Sequence, residues 1–180
     1  MSVPVTRKPA AARRAEIVEA AAVEFGAQGL AATRLDAIAA RVGVTQPRVV
    51  QMFGTKRNLF LAVVDWAFDK ILAAFEAAEP SLIALGEAYR RLLRRDPDVG
   101  LVMLQGYAAA ADPVVRDAVR RRYLEIHRRV SRLTGADSRQ QRTFFATGLV
   151  LTVSTVLDLP QRRVDVAWSA WILDRSLTND

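Results

Sequence analysis

The stretch over residues 29–60, GLAATRLDAIAARVGVTQPRVVQMFGTKRNLF, constrains the fold more than any other part of the chain. Its first apolar residues recur at spacings of three, four and seven, which predicts one face of a short helix. Gly43 favours a helix end because glycine readily takes the left-handed conformation. Thr45 and Pro47 then suit the N-cap and first turn of a second short helix over 46–52. Two short helices joined by a tight glycine turn form a helix-turn-helix, whose second helix enters the DNA major groove.

The remaining sequence predicts helices only, so we expect an all-α fold of about nine helices. Ile17 and Phe25 of the first helix should bury against the helix-turn-helix. Outside the two short helices, the expected helices cover residues 10–28, 56–78, 81–95, 99–111, 114–134, 137–157 and 162–175. At 1.5 Å per residue, the helix over 56–78 spans roughly 35 Å. It is long enough to link a first domain over 10–60 to a second over 79–180.

Positive charge is concentrated at the N-terminal end of the chain. The 180 residues carry a net charge of +7. Residues 1–60 hold nine Lys and Arg against four Asp and Glu, whereas residues 61–180 hold seventeen against fifteen. A basic region of this kind suits a nucleic-acid partner.

The composition excludes several classes of site. With no cysteine and one histidine, the chain can form neither a disulfide, a thiolate or multi-histidine metal site, nor a cysteine nucleophile. It also shows no glycine-rich phosphate loop, so we expect no enzyme, no cofactor and no metal. The absence of cysteine is compatible with the cytoplasm. The longest apolar run, over 144–157, is short for a membrane span, and no membrane partner is expected.

The stretch over 29–60 resembles the N-terminal signature of the TetR family of transcriptional repressors. The residues that carry the resemblance are Gly29, Thr33, Ile38, Ala39, Val42, Gly43, Val44, Thr45, Gln46, Pro47, Phe53, Lys56, Leu59 and Phe60. Three positions depart from the family pattern: Val50 stands where an aromatic is common, Met52 where Tyr or His is common, and Arg57 where an acid is common. We expect Val50 and Met52 to pack inward rather than to contact bases.

The outer face of the second short helix should meet base edges. Base contacts are expected from Gln46, Pro47, Arg48 and Gln51, because arginine pairs with guanine, glutamine pairs with adenine and proline can press on a thymine methyl. Phosphate contacts are expected from Thr33, Thr45 and Lys56, with Arg7 and Lys8 of the N-terminal arm. For Thr45, a role as a helix cap alone is the alternative.

A single helix-turn-helix reads few base pairs, so we expect a homodimer on a palindromic DNA site. The resemblance implies an interface built from the last two helices of each subunit. The expected interface residues are Phe145, Gly148, Leu149, Thr152, Val156, Trp168, Trp171 and Ile172. An intramolecular core formed by the same residues is the alternative.

The resemblance also implies a pocket for a small-molecule effector in the second domain. The expected lining residues are Trp66, Tyr89, Met103, Gln105, Tyr107, Tyr123 and His127, each of which could instead be a core or surface residue. The arginine-rich run over 120–132 is expected to be a solvated face, and an anionic effector such as an acyl-CoA is a secondary interpretation.

Taken together, these features predict a DNA-binding transcriptional regulator, most simply a repressor that a small molecule releases from its operator. Neither the effector nor the operator can be named from the sequence. A helix-turn-helix protein that binds DNA or other proteins without any effector is the alternative.

Overall fold

The computed structural model describes residues 9–159, whose regular structure is helical. The helices are α1 (Ala10–Ala32), α2 (Leu35–Arg41), α3 (Gln46–Phe53), α4 (Lys56–Glu76), α5 (Leu82–Arg95), α6 (Pro97–Ala108), α7 (Pro113–Thr134) and α8 (Ser138–Val156), with a 3-10 turn over Ala109–Ala111. No strand occurs in this part of the chain, which confirms the all-α prediction. The ninth expected helix, over 162–175, lies outside the described residues.

Several helices begin at a side chain that accepts a backbone hydrogen bond from the first turn. Thr55 accepts from the N–H of Asn58, Ser81 from Ala84, and Asp112 from Val114 and Val115. Asp137 forms a reciprocal capping box at the start of α8. These polar residues fix where α4, α5, α7 and α8 begin, because the first N–H groups of a helix have no partner within it.

The first regular stretch of α1 ends at residue 28, as expected, because Gly29 has a non-helical backbone with a φ of 72° and a ψ of 175°. Beyond this kink, a further helical turn continues α1 to Ala32. Gly26 lies inside the helix and is buried, so it does not end the helix. Gly29 needs to be glycine for two reasons: its backbone conformation disfavours a side chain, and a Cβ there would lie 2.7 Å from Gln105 Oε1.

One hydrophobic core runs through the helix-turn-helix and the helices that follow it. Ile17 and Phe25 of α1 are fully buried, as predicted. The ring of Phe25 meets the edge of Phe60 on α4 at a centroid distance of 5.1 Å. The same core continues to Val115 and Val130 on α7. The two expected domains are therefore packed on a shared interior.

The long helix α4 lies at the centre of this arrangement, between α1, α3 and α5–α7. Its buried stripe consists of Leu59, Phe60, Val63, Val64, Ala67, Phe68, Ile71, Leu72 and Phe75. Its outer edge forms ion pairs with α7 and its cap. Arg57 pairs with Asp112 at 3.2 Å, and Glu76 pairs with Arg129 at 2.7 Å. Between them, Arg122 of α7 pairs with Asp65 and Asp69.

Candidate nucleic-acid interface and effector cavity

The helix-turn-helix is built as the sequence predicts. Gly43 has a φ of 65° and turns the chain between α2 and α3. Ile38 of α2 is fully buried, and Val49 and Phe53 of α3 also point inward. Burial of this face directs the opposite face of α3 towards solvent.

Four residues expected to contact bases lie on the solvent side of α3. Gln46, Pro47 and Gln51 are exposed, and Arg48 is partly exposed. Arg48 Nη1 donates to Gln51 Oε1 at 2.6 Å, so the arginine and the glutamine are already aligned one helical turn apart. Both groups are free to exchange this contact for base edges, and their role in reading DNA stays a prediction.

Val50 was expected to pack inward, but its side chain faces solvent. Its side chain is 41% exposed and stands on the same open surface as the polar residues of α3. Met52 is partly buried against the core, in agreement with the expectation for that residue. Besides Pro47, the α3 surface therefore presents the apolar side chain of Val50, which suits contact with a thymine methyl group.

The expectation that Thr33 contacts phosphate is not supported. The residue is 2% exposed, and its hydroxyl donates to the carbonyl oxygens of Gly29 at 2.7 Å and Glu24 at 3.2 Å. The backbone N–H of Thr33 also donates to the Gly29 carbonyl, at 3.3 Å. Its side chain secures the end of α1.

Thr45 and Lys56 differ in how many hydrogen bonds their side chains already make within the chain. Thr45 is exposed at the N-cap of α3, but its side chain makes no capping hydrogen bond. Its hydroxyl is thus available to a phosphate. Lys56 Nζ donates to the carbonyl oxygens of Ala31 at 2.9 Å and Thr33 at 3.1 Å. One of its three N–H groups remains for a phosphate.

Two arginines that were not among the expected DNA contacts support this surface. Arg14 Nη1 donates to the Met52 carbonyl at 2.9 Å, and its guanidinium lies 4.1 Å from the centroid of the Phe53 ring. Arg14 could have been found from its spacing of three before Ile17 on the buried face of α1. Arg57 replaces the acid common in the family, and the Asp112 carboxylate is its partner. That hydrogen bond lowers the pKa of Asp112.

A cavity of about 650 Å³ lies among the helices from α4 to α8. Its walls are mainly aromatic and aliphatic. The aromatic residues that line it are Phe75, Tyr89, Tyr107, Tyr123, His127, Phe144 and Phe145. Five of the seven residues expected at an effector pocket line this cavity: Tyr89, Met103, Tyr107, Tyr123 and His127. The volume falls within the range of sites for small organic molecules.

Burial favours the neutral forms of the tyrosine and histidine side chains in the cavity by shifting their pKa values. Burial raises the pKa of Tyr107, and the neighbouring hydroxyls of Tyr89 and Tyr123 raise it further. Burial also lowers the pKa of His127, whose ring stacks on Phe145 at a centroid distance of 3.4 Å. Tyr89 Oη shares a hydrogen bond of 2.7 Å with Thr152 Oγ1. The interior is consequently apolar with a few hydroxyl groups.

The other two residues expected at the pocket lie elsewhere. Trp66 is absent from the cavity lining, and Lys70 Nζ lies 4.6 Å from the centroid of its ring. Gln105 points to the opposite side of α6, where Nε2 donates to the Gly26 carbonyl at 3.2 Å. Residue type and a position in α4 or α6 do not show which face of the helix meets the cavity, so the sequence did not separate these two residues from the five that line it.

The residues expected at a dimer interface divide between two faces of α8. Phe145 stacks on His127, Thr152 is bonded to Tyr89, and Val156 packs towards Gly100, so these three side chains face their own subunit. Gly148 lines the cavity, and Leu149 is 51% exposed. Phe145, Thr152 and Val156 thus lie on the side of α8 that packs on its own subunit, and their part in a dimer interface stays a prediction. The remaining expected residues lie outside the described part of the chain: Trp168, Trp171 and Ile172.

The described residues contain no helix that is both long and apolar enough to cross a membrane. Over the same range, no group of three or more histidine, aspartate or glutamate residues is placed to hold a metal ion.

Comparison with known proteins gives the same result for the DNA-binding end and for the fold. Residues 17–63 match the model of the family "Bacterial regulatory proteins, tetR family". A search among curated protein sequences found no match. Many solved structures share the fold, and three are representative.

A TetR-like transcriptional regulator from Rhodococcus sp. RHA1 is 20% identical, with a TM-score of 0.67 over 94% of this chain and 96% of that one. A TetR-family regulator from Streptomyces coelicolor is 16% identical, with a TM-score of 0.63 over 96% of this chain and 91% of that one. The multidrug binding protein EbrR, complexed with proflavin, is 20% identical, with a TM-score of 0.55 over 91% of this chain and 99% of that one. These similarities cover α1 to α8, beyond the segment that the family model matches.

The packing of α2 and α3, the family match over residues 17–63 and the shared all-α fold agree. Together they place a helix-turn-helix with a polar outer face on α3 in front of a larger helical region that contains the cavity. Residues 17–63 therefore match the helix-turn-helix segment of the bacterial tetR regulatory family, and the chain shares its all-α fold with solved TetR-type regulators.

Proposed function

We propose that the protein is a cytoplasmic repressor that binds a palindromic operator as a homodimer and leaves it when a small molecule enters the cavity. The observation that carries this proposal is the position of the cavity. It lies among helices that also hold the helix-turn-helix in place. DNA reading and ligand binding would then be linked through α4 and α6.

The helix α4 connects the two sites directly. At its start, Lys56 bonds to the end of α1. Four to five turns later, Ile71 and Phe75 line the cavity. A ligand that moves these side chains would tilt α4 and change the distance between the two α3 helices of a dimer.

A second connection runs through α6. Met103 and Tyr107 line the cavity on one face of this helix. On the opposite face, Gln105 donates a hydrogen bond to the Gly26 carbonyl. Leu101 packs closely on Gly26, since a Cβ added to that glycine would lie only 3.1 Å from the Leu101 Cβ. Because α6 contacts both the cavity and the α1 backbone, a displacement of α6 would also displace α1.

Comparison with EbrR supports ligand binding in a protein of this shape, since that multidrug binding protein has been solved with proflavin. The domain arrangement we propose follows the sequence expectation: DNA binding over 10–60, the link over 56–78, and effector binding and dimerisation over 79–180.

For the dimer, we propose the outward face of α8. Leu149, Val153 and Leu157 are exposed and recur every four residues, so they form one apolar stripe. The predicted final segment over 162–175 supplies Trp168, Trp171 and Ile172 for the same interface. Burying such a stripe between two subunits would stabilise the pair and set the spacing of the two reading helices.

The most informative experiment selects bound DNA from a random library with the full chain, alongside sedimentation at micromolar concentration. We expect a palindrome whose half-sites lie one or more helical turns apart, and a dimer in the centrifuge. A monomer that selects a single half-site would contradict the dimer.

A variant that fills the cavity tests the effector. Gly148 lines the cavity, and a Cβ added there would meet no atom within 4 Å. Gly148→Phe should therefore leave DNA binding intact while abolishing the response to compounds that release the wild-type protein. Release that persists in Gly148→Phe would place the effector elsewhere.

A further inference from the structure

The cavity that we propose as the effector site has an uneven distribution of charge. Three arginines line it: Arg116 and Arg120 on α7, and Arg142 on α8. No aspartate or glutamate occurs among the described residues of its lining. A cationic ligand would therefore find no counter-charge within the cavity, whereas an anion would find at least two guanidinium groups.

Arg116 and Arg120 are placed to act together. They lie four residues apart on α7, which puts them side by side on the helix surface. Tyr123 and His127 continue the same face by steps of three and four, and all four residues line the cavity. Two neighbouring guanidiniums at the edge of an apolar cavity can donate several hydrogen bonds to one carboxylate.

The contacts that these arginines make within their own chain are weak. Arg116 Nη1 lies 3.5 Å from the Ala110 carbonyl, at the outer limit of a hydrogen bond. Arg120 pairs with Asp117 at 3.2 Å, but their side chains are 65% and 50% exposed. Exposed pairs of this kind exchange readily with other partners. A ligand carboxylate that desolvates the site would compete with both contacts.

The walls of the cavity determine the chemistry and size of the rest of the ligand, away from its charged group. Phe75, Phe144 and Phe145 supply apolar walls, and burial keeps His127 neutral by lowering its pKa. Tyr107 and Tyr123 place hydroxyl groups among these walls, which can accept or donate single hydrogen bonds. At about 30 Å³ for each water-sized group, the cavity has room for roughly 20 non-hydrogen atoms.

We propose that the effector is an amphipathic carboxylic acid, with an apolar chain or ring system inside the cavity and its carboxylate between Arg116 and Arg120. This inference rests on the proposed function, because it takes the cavity to be the effector site. It names the ligand class, which the proposed function leaves open. It also gives Arg116 and Arg120 a role in selecting ligands by charge.

The test uses three ten-carbon probes that differ only in the head group: decanoate, decanol and decylammonium. Each is titrated into the full chain by calorimetry, below the concentration at which it forms micelles. We expect decanoate to bind about tenfold more tightly than decanol, since a charged hydrogen-bonded pair adds to the same apolar contacts. Decylammonium should bind most weakly.

Variants then locate the head group. Arg116→Gln with Arg120→Gln should bring decanoate down to the affinity of decanol, which itself should not change. The control Arg128→Gln removes an exposed arginine of α7 outside the lining. It should keep the preference for decanoate. Gly148→Phe should abolish binding of all three probes.

The outcomes separate this inference from the proposed function. Decanol or decylammonium binding as tightly as decanoate would overturn the carboxylate assignment, as would absence of decanoate binding at millimolar concentration. A stronger preference for decanoyl-CoA would overturn it as well, because the anionic group would then be a phosphate outside the cavity. If decylammonium binds best and releases DNA, the result supports the proposed function and contradicts the assignment of a carboxylate ligand. If decanoate binds as expected without releasing DNA, the result supports the carboxylate preference of the cavity and contradicts its role in releasing DNA.

Discussion

The helix-turn-helix has a tightly packed interior and polar side chains on its surface. The helices from α4 to α8, in contrast, enclose a cavity lined by aromatic side chains. In the first region, Ile38 and Val49 are buried in the core, whereas Gln46 and Gln51 are exposed. In the second, the aromatic rings of α7 and α8 stack on each other and leave about 650 Å³ between the helices.

This difference separates stability from function. A filled core gains from every buried contact, so the helix-turn-helix is rigid before it meets DNA. A cavity gives up those contacts until a ligand supplies them. The α3 surface is therefore formed without a partner, while the cavity would gain contacts from any molecule that fills it.

The sharpest way to break this comparison is to remove one phenylalanine from each region. Phe60 is fully buried against Phe25, and Phe60→Ala should lower the free energy of unfolding by about 3–5 kcal/mol. Phe144 borders the cavity and is partly exposed, and Phe144→Ala should cost about 1 kcal/mol. Urea denaturation followed by circular dichroism gives both values. Equal losses would show that the cavity wall is as tightly packed as the core.

The next largest effect concerns two glycines of the helix-turn-helix. Gly29→Ala should lower stability by about 3 kcal/mol, because its backbone conformation is nearly exclusive to glycine and Gln105 blocks the new Cβ. At Gly43 the φ is 65° and the space is open, so Gly43→Ala should cost only about 1 kcal/mol. Thermal unfolding measures both. Adding Gln105→Ala should recover part of the loss at residue 29 alone, and failure to do so would rule out the proposed collision.

At the reading surface, Arg48→Ala should weaken binding to the selected operator by about 1–3 kcal/mol and relax the preference at one base pair in each half-site. Stability and decanoate binding should remain at wild-type values, since Arg48 contacts neither the core nor the cavity. Binding measured across a library of single-base operator variants provides the readout. An unaltered preference at every position would remove Arg48 from base recognition.

The smallest effect is expected for a residue that belongs to structure and DNA contact alike. Lys56→Ala should weaken binding to all sequences equally and reduce the salt slope by about 1, as for the loss of one phosphate contact. It should also lower stability by about 1 kcal/mol, because the Ala31 and Thr33 carbonyls lose their donor. Fluorescence anisotropy at several salt concentrations tests the first effect. A salt slope that stays at the wild-type value would leave Lys56 with a structural role only.

The sequence was most informative where local rules decide the structure. Gly43 and Pro47 set the ends of α2 and α3, and the apolar spacing identified Val49 and Phe53 as the inner face. Helix caps at Thr55 and Asp112 were also recognisable, since capping depends on neighbouring residues. These features predicted the fold and the outer face of α3.

Long-range packing decided the rest. Thr33 carries a polar side chain at the edge of the helix-turn-helix, and only the kink at Gly29 explains why it turns inward. Thr152 and Gln105 could not be placed, because the partners that orient them, Tyr89 and Gly26, lie more than sixty residues away. Periodicity finds a buried face but does not tell which neighbour covers it or whether a cavity lies there.

The shared core has a consequence for how the chain can be divided. Cutting it after residue 60 would expose the face of α1 that packs on α6, where Leu101 covers Gly26, and would remove most of α4. We therefore expect the helices α2 and α3 to unfold together with the cavity helices as one cooperative unit. A ligand at one hundred times its dissociation constant would then protect both by about 2.7 kcal/mol. Hydrogen exchange at Ile38 and Val49 would therefore slow when a ligand fills the cavity.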